Sequence, residues 1–245
     1  FAIAAILLAT AVSVIDGAIA NVALPSIGRY LGIDPENAVL IVTIYQLVFV
    51  TLVLPFASLG DVVGHRRLYE AGLLLFSAAS LLCLFARSFG FLLLVRTLQA
   101  LGGAALLSVS SALLRATIPA EQLGRGIALT GIVVASGNTI APVLGGALLA
   151  VLPWQVIFAA TVPFALLALL IGRRALPEPR RVAQSFDVRG ALLICATFGL
   201  LVIGLQGFVY GRPVALSLAI VALGLATGFQ LFRHQRAVER PILPL

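Results

Sequence analysis

Apolar residues run through the chain in eight long stretches, each ended by a cluster of charge, glycine or proline. The stretches cover roughly residues 1–24, 37–58, 67–86, 90–114, 122–150, 154–172, 188–209 and 213–232. A helix needs about 20 apolar residues to cross a hydrocarbon core of about 30 Å. The pattern therefore predicts eight membrane-spanning helices. Gly32-Ile33-Asp34-Pro35-Glu36 separates the first two, and Gly60-Asp61 to Arg67 the next two. Pro119, shortly after Thr117, marks a helix start. The longest polar stretch, RRALPEPRRVAQSFDVRG at 173–190, divides the chain into six helices plus two. The predicted organisation is a six-helix domain over 1–172, a linker over 173–190, and two further helices with a tail over 191–245.

Composition agrees with a bilayer as the solvent. Of the 245 residues, 61% are hydrophobic and 10% charged, against about 25% charged in an ordinary soluble domain. The mean hydropathy is +1.15. The fold class predicted is an all-α integral membrane protein. A sequence pI near 10.7 raises nucleic acid as a partner, but the placement of charge removes it. All 16 basic residues are arginine, and those at 66, 67, 115, 125, 173, 174, 180, 181, 189, 233, 236 and 240 fall on one side of the predicted topology. Only Arg29, Arg87 and Arg212 fall on the other, and Arg96 lies inside a span. Positive charge gathers on the cytoplasmic side of such proteins, which puts both ends in the cytoplasm and the protein in a bacterial-type plasma membrane. Tyr30, Phe89, Trp154 and Tyr210 fall near the opposite ends of the spans, where an interfacial aromatic belt belongs. Cys83 and Cys195 sit in apolar runs without partner spacing and read as inert thiols. Ala18-Ile19-Ala20 mimics a leader-peptide cleavage site, but no basic stretch precedes it and Asp16 falls just before it. With no methionine in the chain, Phe1 is not a translational start.

Two charges lie deep in spans. Asp16 sits in span 1, nine residues before Pro25, and Arg96 about seven residues into span 4. At about 1.5 Å per residue both are expected roughly 10–13 Å below the outer interface, close enough to meet. An ionisable side chain at mid-helix costs about 2.5–3.5 kcal/mol on insertion scales, so it faces a partner and a cavity. Two readings stand: a structural ion pair that fixes helix packing, or a proton-titrating pair that lines a pathway. Asn21, Gln46, Gln99 and Asn138 are amides at membrane depth, candidates for cavity lining or for bonds to a neighbouring helix. Gly60 and Gly64 permit a tight turn, Asp61 can cap a helix or pair across that turn, and Arg66 and Arg67 belong at the anionic membrane surface. Gly137, Ala141 and Gly145 recur every four residues, a smooth strip for close helix approach, and Pro142 removes one backbone bond beside it. Neither His65 nor His234 has an acid or nucleophile grouped with it, no phosphate-cradling glycine loop is present, and neither a metal nor a cofactor is expected. Six helices also fit two inverted three-helix units, which makes spans 1 and 4 counterparts.

These stretches together resemble the major facilitator superfamily, specifically the N-terminal part of its fourteen-span drug:proton antiporters. DGAIANVALPSIG is similar to the span 1 signature through Asp16, Asn21 and Pro25, and ASLGDVVGHRRL to the loop 2–3 motif through Gly60, Asp61, Gly64, Arg66 and Arg67. RTLQALGGAAL resembles the span 4 motif through Arg96, Gln99 and Gly102, and GNTIAPVLGGALL the span 5 antiporter motif through Gly137, Pro142, Gly145 and Gly146. WQVIFAATVP and FDVRGALL resemble the entries into span 6 and the first extra helix. The chain departs from the family pattern at Ala18, Ala57, Val62, His65 and Ala100.

The resemblance implies a proton-coupled exporter of lipophilic compounds rather than an enzyme, with Asp16 and Arg96 coupling protons and the span 5 motif sealing the cavity. A non-transporting membrane scaffold or ligand-binding subunit of the same fold, and a lipid exporter, are the alternatives. The partners implied are a lipophilic small molecule, protons, membrane lipids, and either a second copy of the chain or a C-terminal domain. The stop after span 8 favours a half-size protein that pairs with itself.

Overall fold

The computed structural model describes residues 1–178, 186–209 and 211–238. Arg180, Arg181, Tyr210 and Arg240, used above to argue topology, lie outside the described residues. Helices account for nearly all of what is described: α1 (Ala2–Leu31), α2 (Pro35–Val63), α3 (His65–Leu82), α4 (Phe89–Thr117), α5 (Leu123–Val151), α6 (Trp154–Ala159), α7 (Val162–Ala175), α8 (Val188–Val209) and α9 (Val214–Ala237). They form eight segments long and apolar enough to cross a membrane, α6 and α7 counting as one.

The predicted spans are all present, and the differences have local causes. Pro25 does not end α1, which runs to a left-handed Gly32 at φ 64°. A proline costs a helix one backbone bond, which is tolerable in a long span when the neighbouring turns stay satisfied. Here the Arg29 Nε donates to the Pro25 carbonyl at 3.3 Å. Span 6, expected as one helix over 154–172, is broken after Ala159. Pro163 has no N–H to continue the ladder, and the Thr161 hydroxyl donates to the Phe158 carbonyl at 2.8 Å. The turn between α2 and α3 is a single residue, Gly64 at φ 104°, whose N–H returns to the Gly60 carbonyl. A side chain there would force an L-residue into a region it rarely adopts.

α1 packs against α5 and α7, α4 against both α2 and α3, and α8 and α9 form a hairpin that rests on the rest of the bundle through α8 against α2. Two apolar clusters fill the six-helix unit. One, at the arginine-rich end, holds Ile6, Val12, Tyr69, Phe76, Leu113 and Leu169. Another, at the opposite end, holds Ile19, Ile41, Ala79, Val95, Trp154 and Phe158. Asp16 lies between Val12 and Ile19, and Ser80 beside Ala79. Arg96 and Gln99 lie beyond Val95, so the polar residues form a layer between the clusters. The Tyr69 hydroxyl, 2.8 Å from the Ala5 carbonyl and 3.3 Å from that of Ala168, ties α1, α3 and α7 below that layer.

Small residues let α5 and α4 approach their neighbours. A Cβ on Gly145 would come within 2.7 Å of Ile19, and one on Gly137 within 3.1 Å of Val14. The strip expected from Gly137, Ala141 and Gly145 is thus the contact face for α1. Gly146 and Pro142 lie off it, Gly146 with nothing within 4 Å of a notional Cβ.

Candidate functional site

Asp16 and Arg96 meet. Arg96 Nη1 donates to Asp16 Oδ2 at 2.7 Å, with both side chains fully buried. Because α1 runs on past Pro25, Asp16 stands at the helix midpoint, about 22 Å from Leu31. Arg96 stands about 10 Å from the start of α4.

Gln99, one turn along α4 from Arg96, completes the cluster. Its Oε1 accepts from Arg96 Nη1 at 2.9 Å, and its Nε2 donates to Ser80 Oγ at 2.9 Å and to Asp16 Oδ1 at 3.3 Å. Of the two readings open for Gln99, cavity lining or bonds to neighbouring helices, the bonds to α1 and α3 are the ones present. Its amide spans the three helices α1, α3 and α4 and bonds both the carboxylate and Nη1 of the guanidinium. A buried charge pair is tolerable only with such additional bonds. Arg96 Nε and Nη2 have no hydrogen-bond acceptor. Aromatic rings flank the guanidinium instead, Tyr45 with its centroid 4.3 Å from Cζ and Phe158 at 5.0 Å. A desolvated cation facing a ring gains about 2 kcal/mol or more. Neither ring was read from the sequence; the available sign was Tyr45, a phenol in mid-span beside Gln46.

The other three amides collect on a groove of about 270 Å³ between α1 and α2, where Asn21, Gln46 and Asn138 stand among Val14, Phe49 and Val50. Tyr45 forms part of the same wall, and its hydroxyl donates to the Ser13 carbonyl at 3.3 Å. Tyr45 is therefore the partition, with the groove on one side and the ion pair on the other. Asn21 also lines a larger cavity of about 680 Å³, which reaches Arg29 and Asp34 at the arginine-poor end. The amides are uncharged donors and acceptors on an apolar wall, a surface that suits an amphiphilic organic molecule.

The loop 2–3 residues form a separate group. Asp61 Oδ1 pairs across the turn with His65 Nε2 at 3.2 Å. Arg67 is mostly exposed, 3.4 Å from Glu178. Arg66 is half-buried at the same end: it pairs with Glu70 at 3.0 Å and donates to the carbonyls of Arg173 and Leu176. It thereby caps the last turn of α7, whose carbonyls have no helical partner. His234, read as having no acid nearby, bonds both oxygens of Asp187 at 3.0 and 3.1 Å and joins the end of α9 to the start of α8. His65 has its aspartate too. Among the described residues no group of three metal-ligating side chains occurs.

Comparison with known proteins gives the family and the fold. Residues 6–232 match the family described as Major Facilitator Superfamily. The chain is 37% identical to the uncharacterized transporter YebQ of Escherichia coli over its whole length and 54% of that protein. It is 36% identical to the riboflavin transporter RibZ of Clostridioides difficile, covering 80% of this chain and 44% of that one. It is 34% identical to the puromycin resistance protein pur8 of Streptomyces alboniger, covering 98% and 48%. The chain thus spans about half the length of these curated relatives. Among solved structures, an inward-facing bacterial homolog of the human lysosomal transporter Spinster matches with a TM-score of 0.64 at 18% identity, over 91% of this chain and 58% of that one. That likeness is one of fold. The protein is a multi-pass membrane protein and belongs to the major facilitator superfamily.

Proposed function

We propose that the protein acts as a proton-coupled antiporter that exports lipophilic organic compounds from the cytoplasm of a bacterial-type cell, with its arginine-rich end inside. The observation that carries this reading is the fully buried Asp16–Arg96–Gln99 cluster separated by one side chain, Tyr45, from an amide-lined groove. A pair that served packing alone would gain nothing from lying beside such a groove. Asp16 exchanges the proton, and when it is neutral Arg96 keeps Gln99 and the two rings beside it. For a proton or a cationic substrate to reach the carboxylate from the groove, the Tyr45 ring must move aside. Relatives named for riboflavin transport and puromycin resistance support a substrate with an extended apolar body and several polar groups.

The groove opens on a surface that needs a cover. Beside Asn138, α5 presents Ile132 at 61%, Ile140 at 49% and Val143 at 72% exposure. Polar amides set into such a face are penalised against lipid. A second helical domain covers it, supplied within the same polypeptide or by a second copy of this chain.

The test is export itself. Inside-out membrane vesicles carrying the chain, energised to an acidic lumen, are expected to accumulate puromycin or riboflavin and to release it when a protonophore collapses the gradient. Accumulation that ignores the protonophore, or none with either compound, speaks for the non-transporting scaffold.

A further inference from the structure

On α2 the groove-lining Tyr45, Gln46 and Phe49 share one face. Leu40, Thr43, Ile44 and Leu47 form a separate stripe spaced i, i+3, i+4, i+7, centred about 165° around the helix from them. That stripe lines a crevice of about 260 Å³, closed by Leu93 of α4 and by the last turns of α8. The crevice turns away from the groove, and Leu40 in its wall is 38% exposed. It lies at the arginine-poor end of the bundle, since Leu40 and Leu93 stand near the starts of α2 and α4 and Arg212 in the α8–α9 turn. In a membrane-spanning bundle that position is occupied by one leaflet of lipid.

Its chemistry is graded. At the mouth stands Arg212, whose stem lies over Gly207, Cδ being 3.6 Å from a notional Cβ there. Gln206 and Thr43 come next. None of these three side chains has a hydrogen-bond or charge partner among the described residues. Deeper in, Ile44, Leu47 and Ile203 make the wall wholly aliphatic. A cation at the interface, a donor and a hydroxyl below it, then a hydrocarbon slot, match phosphate, ester carbonyls and acyl chain in that order. We propose that the crevice is a binding site for an anionic phospholipid, which wedges the α8–α9 hairpin against α2 and is separate from the transport pathway.

The full chain, purified in mild detergent and incubated with phosphatidylglycerol or phosphatidylcholine, can be read by native mass spectrometry. Wild-type protein is expected to retain phosphatidylglycerol in preference to phosphatidylcholine. Arg212→Gln should lower phosphatidylglycerol retention about fivefold, the factor expected for one interfacial arginine, and leave phosphatidylcholine unchanged. Ile203→Trp, which fills the slot, should lower both. Arg87→Gln, at the same end of the bundle but away from the crevice, should change neither, and melting curves identify any variant that fails to fold. Equal retention of the two lipids by wild-type protein, or undiminished phosphatidylglycerol binding in both crevice variants, overturns the proposal. Loss in Arg87→Gln equal to that in Arg212→Gln, or displacement of the lipid by inorganic phosphate, overturns it as well.

Discussion

The ring of Tyr45 covers the Arg96 guanidinium at 4.3 Å and divides the buried ion pair from the groove. Access to Asp16 from the groove is thus a matter of one side chain. Tyr45→Ala should make Asp16 react severalfold faster with a hydrophobic carbodiimide in native membranes. Tyr45→Phe keeps the ring and loses only the 3.3 Å bond to Ser13, so its rate should stay near that of wild-type protein. Equal rates in all three would show that the ring is no barrier.

The contact between α3 and α4 sets a second expectation. A Cβ on Gly102 would lie 2.8 Å from the Gly72 carbonyl oxygen and from the Phe76 backbone nitrogen. Gly102→Val should destabilise the bundle by about 1–3 kcal/mol through overpacking, visible as a lower melting temperature in detergent. Gly146→Ala, with nothing within 4 Å, should leave melting unchanged.

Coverage of the α5 face can be read by cross-linking. With Cys83 and Cys195 replaced, a single cysteine at Val143 should form a disulfide-linked dimer in oxidised native membranes if a second copy supplies the cover. Strictly monomeric protein would assign the cover to a domain of another kind.

How much of this was legible in the sequence depends on how far each residue departs from its surroundings. Asp16 and Arg96 stand out because an ionised group in an apolar run has no other explanation. Gly64 was legible as a turn glycine, but Gly60, read with it, lies inside α2, which runs on to Val63. Gln99 was legible as a polar residue with two possible places, since an amide looks the same on a cavity wall and bonded to a neighbouring helix. Tyr45, Ser80 and Phe158 gave little sign, because tyrosine, serine and phenylalanine are ordinary in membrane helices and only the packing of α2, α3 and α6 brings Tyr45 and Phe158 to Arg96 and Ser80 to Gln99. The break in span 6 was written in Pro163, yet hydropathy runs across it undisturbed. The pairing of Asp187 with His234 joins residues 47 apart, a contact no local pattern reveals.

The central claim is that Asp16 carries the transported proton. Asn in its place keeps an acceptor for Arg96 Nη1 but cannot exchange a proton, and the packing around it is retained. Export measured in vesicles between pH 5.5 and pH 8, with wild-type protein and Asp16→Asn present in equal amounts and with matching elution profiles, tests this directly. The account predicts substrate movement driven by the proton gradient in wild-type protein, and in Asp16→Asn at most exchange that is indifferent to pH and to protonophore. Gradient-driven, pH-dependent export by Asp16→Asn at the wild-type rate would contradict it and leave the Asp16–Arg96 pair as a fastener between α1 and α4.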